Sequence, residues 1–312
     1  MSLLRYLTKL DTMQNVSRRK FLNTSASLGG ALLLGGMVSG CSEGKAAVPV
    51  YGHLWVYASN FPPDWDCTPV LEQVFSDFKY AGIEGVELME SILRNPAIIS
   101  VAGPLIKQYG IPVTGTSYYA DMWVKEDRQK ILDDVSFVVG RLHELGGTMF
   151  GITVGDAGRK KTESEMDAQA ELLMDILRVC EQNKVEPNIH NHTFEVTNNL
   201  HDLKGILARI PEIKLGPDIS WLARAGVDPV SFVEQYGHQM VYMHLRDQTA
   251  DNVFTEAVGE GMIDFPAIAA VLKKINYRGK AAIELAYEKP QQRANRENWK
   301  MSRDYVSEIF GW

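Results

Sequence analysis

The chain has 312 residues, with 32 Lys and Arg against 39 Asp and Glu and a formal net charge of −7. That length suits one large domain, and so acidic a balance excludes phosphate backbones as the expected partner, so no nucleic acid is expected. Three cysteines, Cys41, Cys67 and Cys180, show neither a disulfide framework nor a zinc spacing, and Cys67 and Cys180 are expected as independent thiols.

The first forty residues stand apart. Arg5, Lys9, Arg18, Arg19 and Lys20 face a single Asp11, and a Gly/Ala/Leu run from Ala26 to Met37 leads into Val38-Ser-Gly-Cys41. A basic region, an apolar run and small residues are the parts of an export signal. The adjacent arginines before Lys20-Phe-Leu22 resemble a twin-arginine signal, and Val-Ser-Gly-Cys resembles a lipobox. The competing reading, a membrane anchor, needs ~20 apolar residues, more than this glycine-rich run offers. Residues 1–40 are therefore expected as a cleaved signal, 41–50 as a tether and 51–312 as the domain. The protein would be an exported periplasmic or cell-envelope lipoprotein, meeting the membrane only through a lipid on Cys41.

Eight strand–helix units follow in order. Gly52–Ala58 is the first expected strand, followed by a helix with Leu71, Val74, Phe75 and Phe78 at helical spacing and Gly82 ending it. Gly85–Met89 precedes a helix over Pro96–Tyr109, and Pro112–Ser117 precedes one over Lys125–Leu145, stopped by Gly146-Gly147. Thr148–Thr153 is the fourth strand; Thr162 with Glu165 makes a capping box for the helix carrying Leu172, Leu173, Ile176, Leu177 and Cys180. Glu186–His190 runs into a loop and a helix over Leu203–Ile210. Lys214–Asp218 is the sixth strand, with Asp228-Pro229 opening the next helix. Met240–Leu245 is the seventh, followed by a helix that Asp264 caps, with Phe265, Ile268, Val271, Leu272 and Ile275 inward. Ala281–Leu285 is the eighth, before a final helix holding Trp299, Tyr305, Val306 and Ile309. Strands alternating with amphipathic helices imply a parallel sheet covered by helices, and eight of them imply closure into a (β/α)8 TIM barrel. The absence of Gly-x-Gly-x-x-Gly after the first strand removes support for a dinucleotide fold.

In such barrels the site lies at the C-terminal strand ends. Those ends present Glu87, His190 with His192 and Glu195, then Asp218, His244 and Glu284. His190 and His192 are two apart, so along a strand they face one side. A lone strand histidine is more often structural than a ligand, and Asp218 alone could cap a turn. Glu284 in Ala-Ile-Glu-Leu and Glu87 in Val-Glu-Leu are harder to assign a structural role, because burying a carboxylate is costly without a compensating cation or donor. Imidazoles mixed with carboxylates suit one divalent ion of Mn, Co, Zn or Fe better than Mg or Ca.

The chain resembles the sugar-phosphate isomerase/epimerase superfamily, the xylose-isomerase-like barrels that include endonuclease IV, over residues 50–312. The resemblance is carried by His190-Asn-His-Thr-Phe-Glu195, Gly216-Pro-Asp-Ile-Ser-Trp221 with Ala225-Gly-Val-Asp-Pro229, His244-Leu-Arg-Asp247, Val258-Gly-Glu-Gly261 with Ile263-Asp-Phe265, and Ile283-Glu-Leu285. It implies a metal shell of Glu, Asp, His and Glu whose last three members fall on Asp218, His244 and Glu284. The first position, Glu in many relatives, is His190 here, so the two-carboxylate pair of ketose epimerases becomes Glu284 plus either Glu195 or His192. The implied chemistry is proton removal beside a carbonyl, with Glu284 as base. Arg246 would steady an oxyanion or pair structurally with Asp247, Trp221 would form a platform for a sugar ring, and Glu87 would contact substrate. The expected function is a metal-dependent isomerase or epimerase of an unphosphorylated keto-sugar. A 3-keto-glycoside lyase working by elimination is the alternative, and a non-catalytic sugar-binding lipoprotein the third reading.

Overall fold

The computed structural model describes Val48 to Trp312. The expected signal over residues 1–40, Cys41 and most of the tether lie outside these residues. Among the described residues no helix is long and apolar enough to cross a membrane.

The strands are β1 (Val50–His53), β2 (Val86–Met89), β3 (Val113–Tyr119), β4 (Met149–Thr153), β5 (Glu186–Ile189), β6 (His244–Leu245) and β7 (Ala281–Glu284). All pair in parallel, in the order β5-β4-β3-β2-β1-β7-β6. Between the two edges runs the segment around Leu215. It bridges Ile189 of β5 on one side and Met240 on the other, and Asp218 bridges His244. These bridges close the ring as an eighth stave. Strands β2, β4 and β7 are buried along their whole length, as expected where helices cover the outside and side chains fill the lumen.

The eighth stave, expected as a regular strand over Lys214–Asp218, is only a run of bridges. Pro217 has no N–H to give a ladder. Gly216 is also confined, since a Cβ there would lie 1.9 Å from Asn188 Oδ1. The expected strand Met240–Leu245 is likewise regular only at His244–Leu245. The first strand is shifted toward the N-terminus: it begins at Val50, inside the expected tether, and ends at His53. His53 Nδ1 accepts the Trp55 N–H at 3.2 Å, and Leu54 O accepts from Tyr57 and Ala58, turning Trp55–Ala58 into a short helix.

The helices otherwise follow the apolar periodicity. The helix Leu71–Ala81 buries Leu71, Val74, Phe75 and Phe78 and stops at Gly82, whose φ of 77° is left-handed. The capping box of Thr162 and Glu165 forms on the helix Glu163–Gln182. Asp228 and Asp264 cap the helices that begin at Pro229 and Phe265. Ile275, expected inward, sits just past the last helical residue and is 36% exposed. After β5 a helix begins at Thr193, ten residues earlier than expected, and breaks at Thr197–Leu200 before continuing to Arg209. The last helix, Asn295–Phe310, lays fully buried Trp299 edge-on against Phe78 at 4.6 Å. Cys67 and Cys180 are free and buried, as expected of independent thiols.

Candidate active site

Apolar strands carry ligand-type side chains to the upper end of the lumen, where burial leaves each charge dependent on its neighbours. His244 opens β6 and Glu284 ends β7. His244 Nδ1 lies 2.7 Å from Glu284 Oε2, and its Nε2 lies 2.9 Å from Glu87 Oε2. An ionised carboxylate only accepts, so a ring between two of them carries a proton on both nitrogens. Burial alone would lower the His244 pKa, but Glu87 and Glu284 outweigh it and hold it up at about 10. Burial likewise opposes ionisation of Glu284, yet the charges of Arg246 and His244 keep it well below the usual carboxylate value.

Arg246 is buried and reaches both Glu284 and Asp218, the latter at 3.0 Å. Its expected structural partner, Asp247, is engaged elsewhere: it accepts the backbone N–H groups of Gly259, Gly261 and Ile263 at 2.9, 2.9 and 3.3 Å. This accounts for the Val258-Gly-Glu-Gly261 run, since a Cβ on Gly261 would lie 2.2 Å from Asp247 Oδ1.

Asp218 and His190 complete the floor. Asp218 Oδ1 caps the next helix by accepting from Ser220 and Trp221 at 2.8 and 3.0 Å, while Oδ2 is buried and faces the Arg246 guanidinium at 3.0 Å. Burial raises the Asp218 pKa against the pull of Arg246. Burial, then the charge of His244, pushes His190 well below its ordinary value, leaving a neutral imidazole. Donor atoms of His190, Asp218 and His244 all lie within 4.8 Å of one another. A buried carboxylate, a neutral imidazole and a second imidazole fit a divalent ion of intermediate softness. Glu284, expected as a fourth ligand, is not one of these three, and its oxygens face His244 and Arg246.

His190, His244, Arg246 and Glu284 line a cavity of about 570 Å³, within the range of small-molecule sites. His192 and Trp221 line it with ring centroids 5.3 Å apart, and burial with the charge of Arg246 lowers His192 to about 4. Arg246 lies over Phe254 at 4.7 Å and over Trp221 at 5.4 Å. Trp55 and Trp65, 5.5 Å apart, form further aromatic wall.

Three expected site residues do not line the cavity. Asp218, fully buried, stands behind its floor beside His190 and His244. Glu195 is fully buried and accepts the N–H groups of His192 and Val154 at 2.8 and 3.1 Å, tying the β5 turn to the end of β4; burial raises its pKa to about 8. Glu87 stands in the lumen beneath His244, held also by the Tyr242 hydroxyl at 2.8 Å, so it supports His244 instead of meeting substrate. The structure adds His53, whose Nε2 faces Ser117 Oγ at 3.0 Å and whose Nδ1 lies 3.6 Å from Glu284. Because Nδ1 accepts from Trp55, the Nε2–H donates to Ser117 and the ring is neutral.

Residues 75–308 match the model of a family described as xylose isomerase-like TIM barrel. An inosose dehydratase of Klebsiella pneumoniae is 20% identical over 283 residues, spanning 80% of this chain and 93% of that protein. A D-allulose 3-epimerase from Methylomonas sp., solved with D-allulose, superposes with a TM-score of 0.69 at 14% identity, covering 84% of this chain and 97% of the other. A 3-keto-D-glucoside 4-epimerase from E. coli superposes at 0.64 with 16% identity, covering 85% and 100%. At these identities the likeness to solved structures establishes the fold alone.

Proposed function

The chain belongs to the xylose isomerase-like TIM barrel family, and on that premise we propose that it is a divalent-metal-dependent isomerase or epimerase. It removes a proton beside the carbonyl of an unphosphorylated keto-sugar. The observation that carries this reading is the convergence of His190, Asp218 and His244 next to the ionised Glu284, on the floor of a tryptophan-walled cavity.

An ion of Mn, Co, Zn or Fe held by His190, Asp218 and His244 would supply Lewis-acid polarisation of the substrate carbonyl. Glu284 is the base. Its basicity is restrained while His244 carries two ring protons, and loss of one of them loosens that clamp. Arg246, buried beside Glu284, stabilises negative charge developing on the substrate oxygen. Trp221 and Phe254 offer apolar faces to the C–H side of a sugar ring. Both cavity arginines are committed to carboxylates, Arg246 to Asp218 and Glu284 and Arg224 to Glu288, which supports a substrate without phosphate. The relatives named as acting on D-allulose, 3-keto-glucosides and inosose agree with a polyhydroxy ketone.

Elimination is the second reading, and the imidazole of His190 at the position of the family's first carboxylate favours it. Elimination needs a base on one face only, and the inosose dehydratases among the relatives are named for loss of water. Incubating the Mn-loaded protein with D-allulose and methyl 3-keto-glucoside, and identifying products by NMR, tests both readings. Epimers or isomers support the first, and an unsaturated ketone with released methanol or water the second. Sugar binding without conversion would favour the non-catalytic reading. From residues 1–40 and Cys41 we also propose export and lipid anchoring, which the mass of the N-terminal peptide of the mature protein tests.

A further inference from the structure

With Glu195 outside the cavity, the site described so far holds a base but no second proton carrier of carboxyl type. Glu90 follows β2 directly and lines the cavity beside Trp65, Tyr118 and Tyr119. Its side chain is 15% exposed, and among the described residues its carboxyl makes no side-chain hydrogen bond. The nearest cation is Arg94, whose Nη1 stands 3.8 Å away and whose Nε and Nη2 bind Asp134 at 3.0 and 2.7 Å. The other acids at the cavity are occupied. Glu284 is held by His244 and Arg246, and Glu288 by Arg224 at 3.2 Å and the Phe254 N–H at 3.0 Å.

A largely buried carboxyl that meets its nearest cation only at 3.8 Å is weakly compensated. The order of staves puts β2 opposite the Asp218 segment and two staves from β7, so Glu90 and Glu284 enter the cavity from separate staves.

We propose that Glu90 is the second acid–base residue of this site, donating a proton to the substrate that Glu284 has deprotonated. This role rests on the function proposed above. Burial raises the Glu90 pKa, with Arg94 and backbone N–H groups opposing and Asp134 adding to it, so Glu90 holds a proton more readily than an exposed glutamate. In the step, Glu284 takes the proton from carbon and the electron pair moves to the carbonyl oxygen. As the electron pair returns from oxygen and the carbonyl re-forms, Glu90 gives its proton to that same carbon, yielding the epimer. Where a C–O bond beside the carbanion breaks, the same proton goes to the departing oxygen. Glu284 ends with one proton more and Glu90 with one fewer, and exchange with water resets both.

The test compares the Mn-loaded protein with its Glu90→Gln and Glu90→Asp variants in D₂O, on D-allulose and methyl 3-keto-glucoside. The readouts are deuterium entry beside the carbonyl, product formation and Tm. Glu90→Gln is expected to keep an equal or higher Tm and to keep deuterium entry, while product formation falls at least ~100-fold and Glu90→Asp recovers part of it. Product formation by Glu90→Gln at the unaltered rate overturns the assignment, as does joint loss of exchange and product at unchanged Tm. If the unaltered protein neither exchanges nor converts any probe, the enzyme reading falls and the role of Glu90 with it.

Discussion

Glu284 and His244, on neighbouring strands, face each other at 2.7 Å, and the ring's other nitrogen faces Glu87 at 2.9 Å. The imidazolium thus stands as a buried cation strapped between two anions, next to Asp218 Oδ2 and the neutral ring of His190. A metal ion entering this floor competes with that proton for the same carboxylate field.

Metal loading should therefore release about one proton at neutral pH, because a histidine ligates only after shedding its second proton. With His244 held at about 10, the affinity for Mn should rise with pH through neutrality. Titration calorimetry in two buffers of different ionisation enthalpy measures the release directly. Heats independent of buffer would contradict it.

Glu87→Gln tests the support beneath His244. Glu87 lies outside the cavity, so its replacement should weaken Mn binding by roughly 10–100-fold, the usual effect of losing a partner behind a ligand. Turnover at saturating Mn should change little. An unchanged Mn Kd would show that Glu87 does not orient the ring.

Lys161 and Asp202 make a separate buried pair at 2.5 Å, with Lys161 Nζ also bonding Gly155 O at 2.7 Å and Gln169 Oε1 at 2.8 Å. Lys161→Ala leaves Asp202 uncompensated and should cost about 3–5 kcal/mol in denaturant unfolding. A loss below ~1 kcal/mol would mean that water already reaches the pair.

Much of this site is legible in the sequence because an apolar strand rarely ends in a histidine or an acid, and here several do so in succession. His190, His192, His244, Arg246 and Trp221 line one cavity, and Asp218 lies buried beside His190 and His244. The departures are local and have physical causes. The β-prone run Trp55-Val-Tyr57 places the first strand two residues late and so hides His53, although it is the last residue of β1. Glu195 reads as catalytic from its place beside two histidines, but Val154, 41 residues earlier in the chain, supplies the N–H that turns it away. Glu87 does face the lumen, one layer too deep, and strand alternation carries no information about depth. Glu90 sits where β2 passes into a helical turn, a boundary that periodicity does not resolve.

The reaction proposed here turns on Glu284 removing a proton beside a carbonyl. The most direct measurement is deuterium entry from D₂O into a keto-sugar, followed by NMR with Mn-loaded protein and with Glu284→Gln. Exchange is expected at the carbon beside the carbonyl in the unaltered protein, with a loss of about 10²–10⁴-fold in the variant and sugar binding retained. Exchange surviving in Glu284→Gln would contradict the assignment of the base. Absence of exchange in the unaltered protein, with metal and sugar bound, would contradict carbon-acid chemistry at this site altogether.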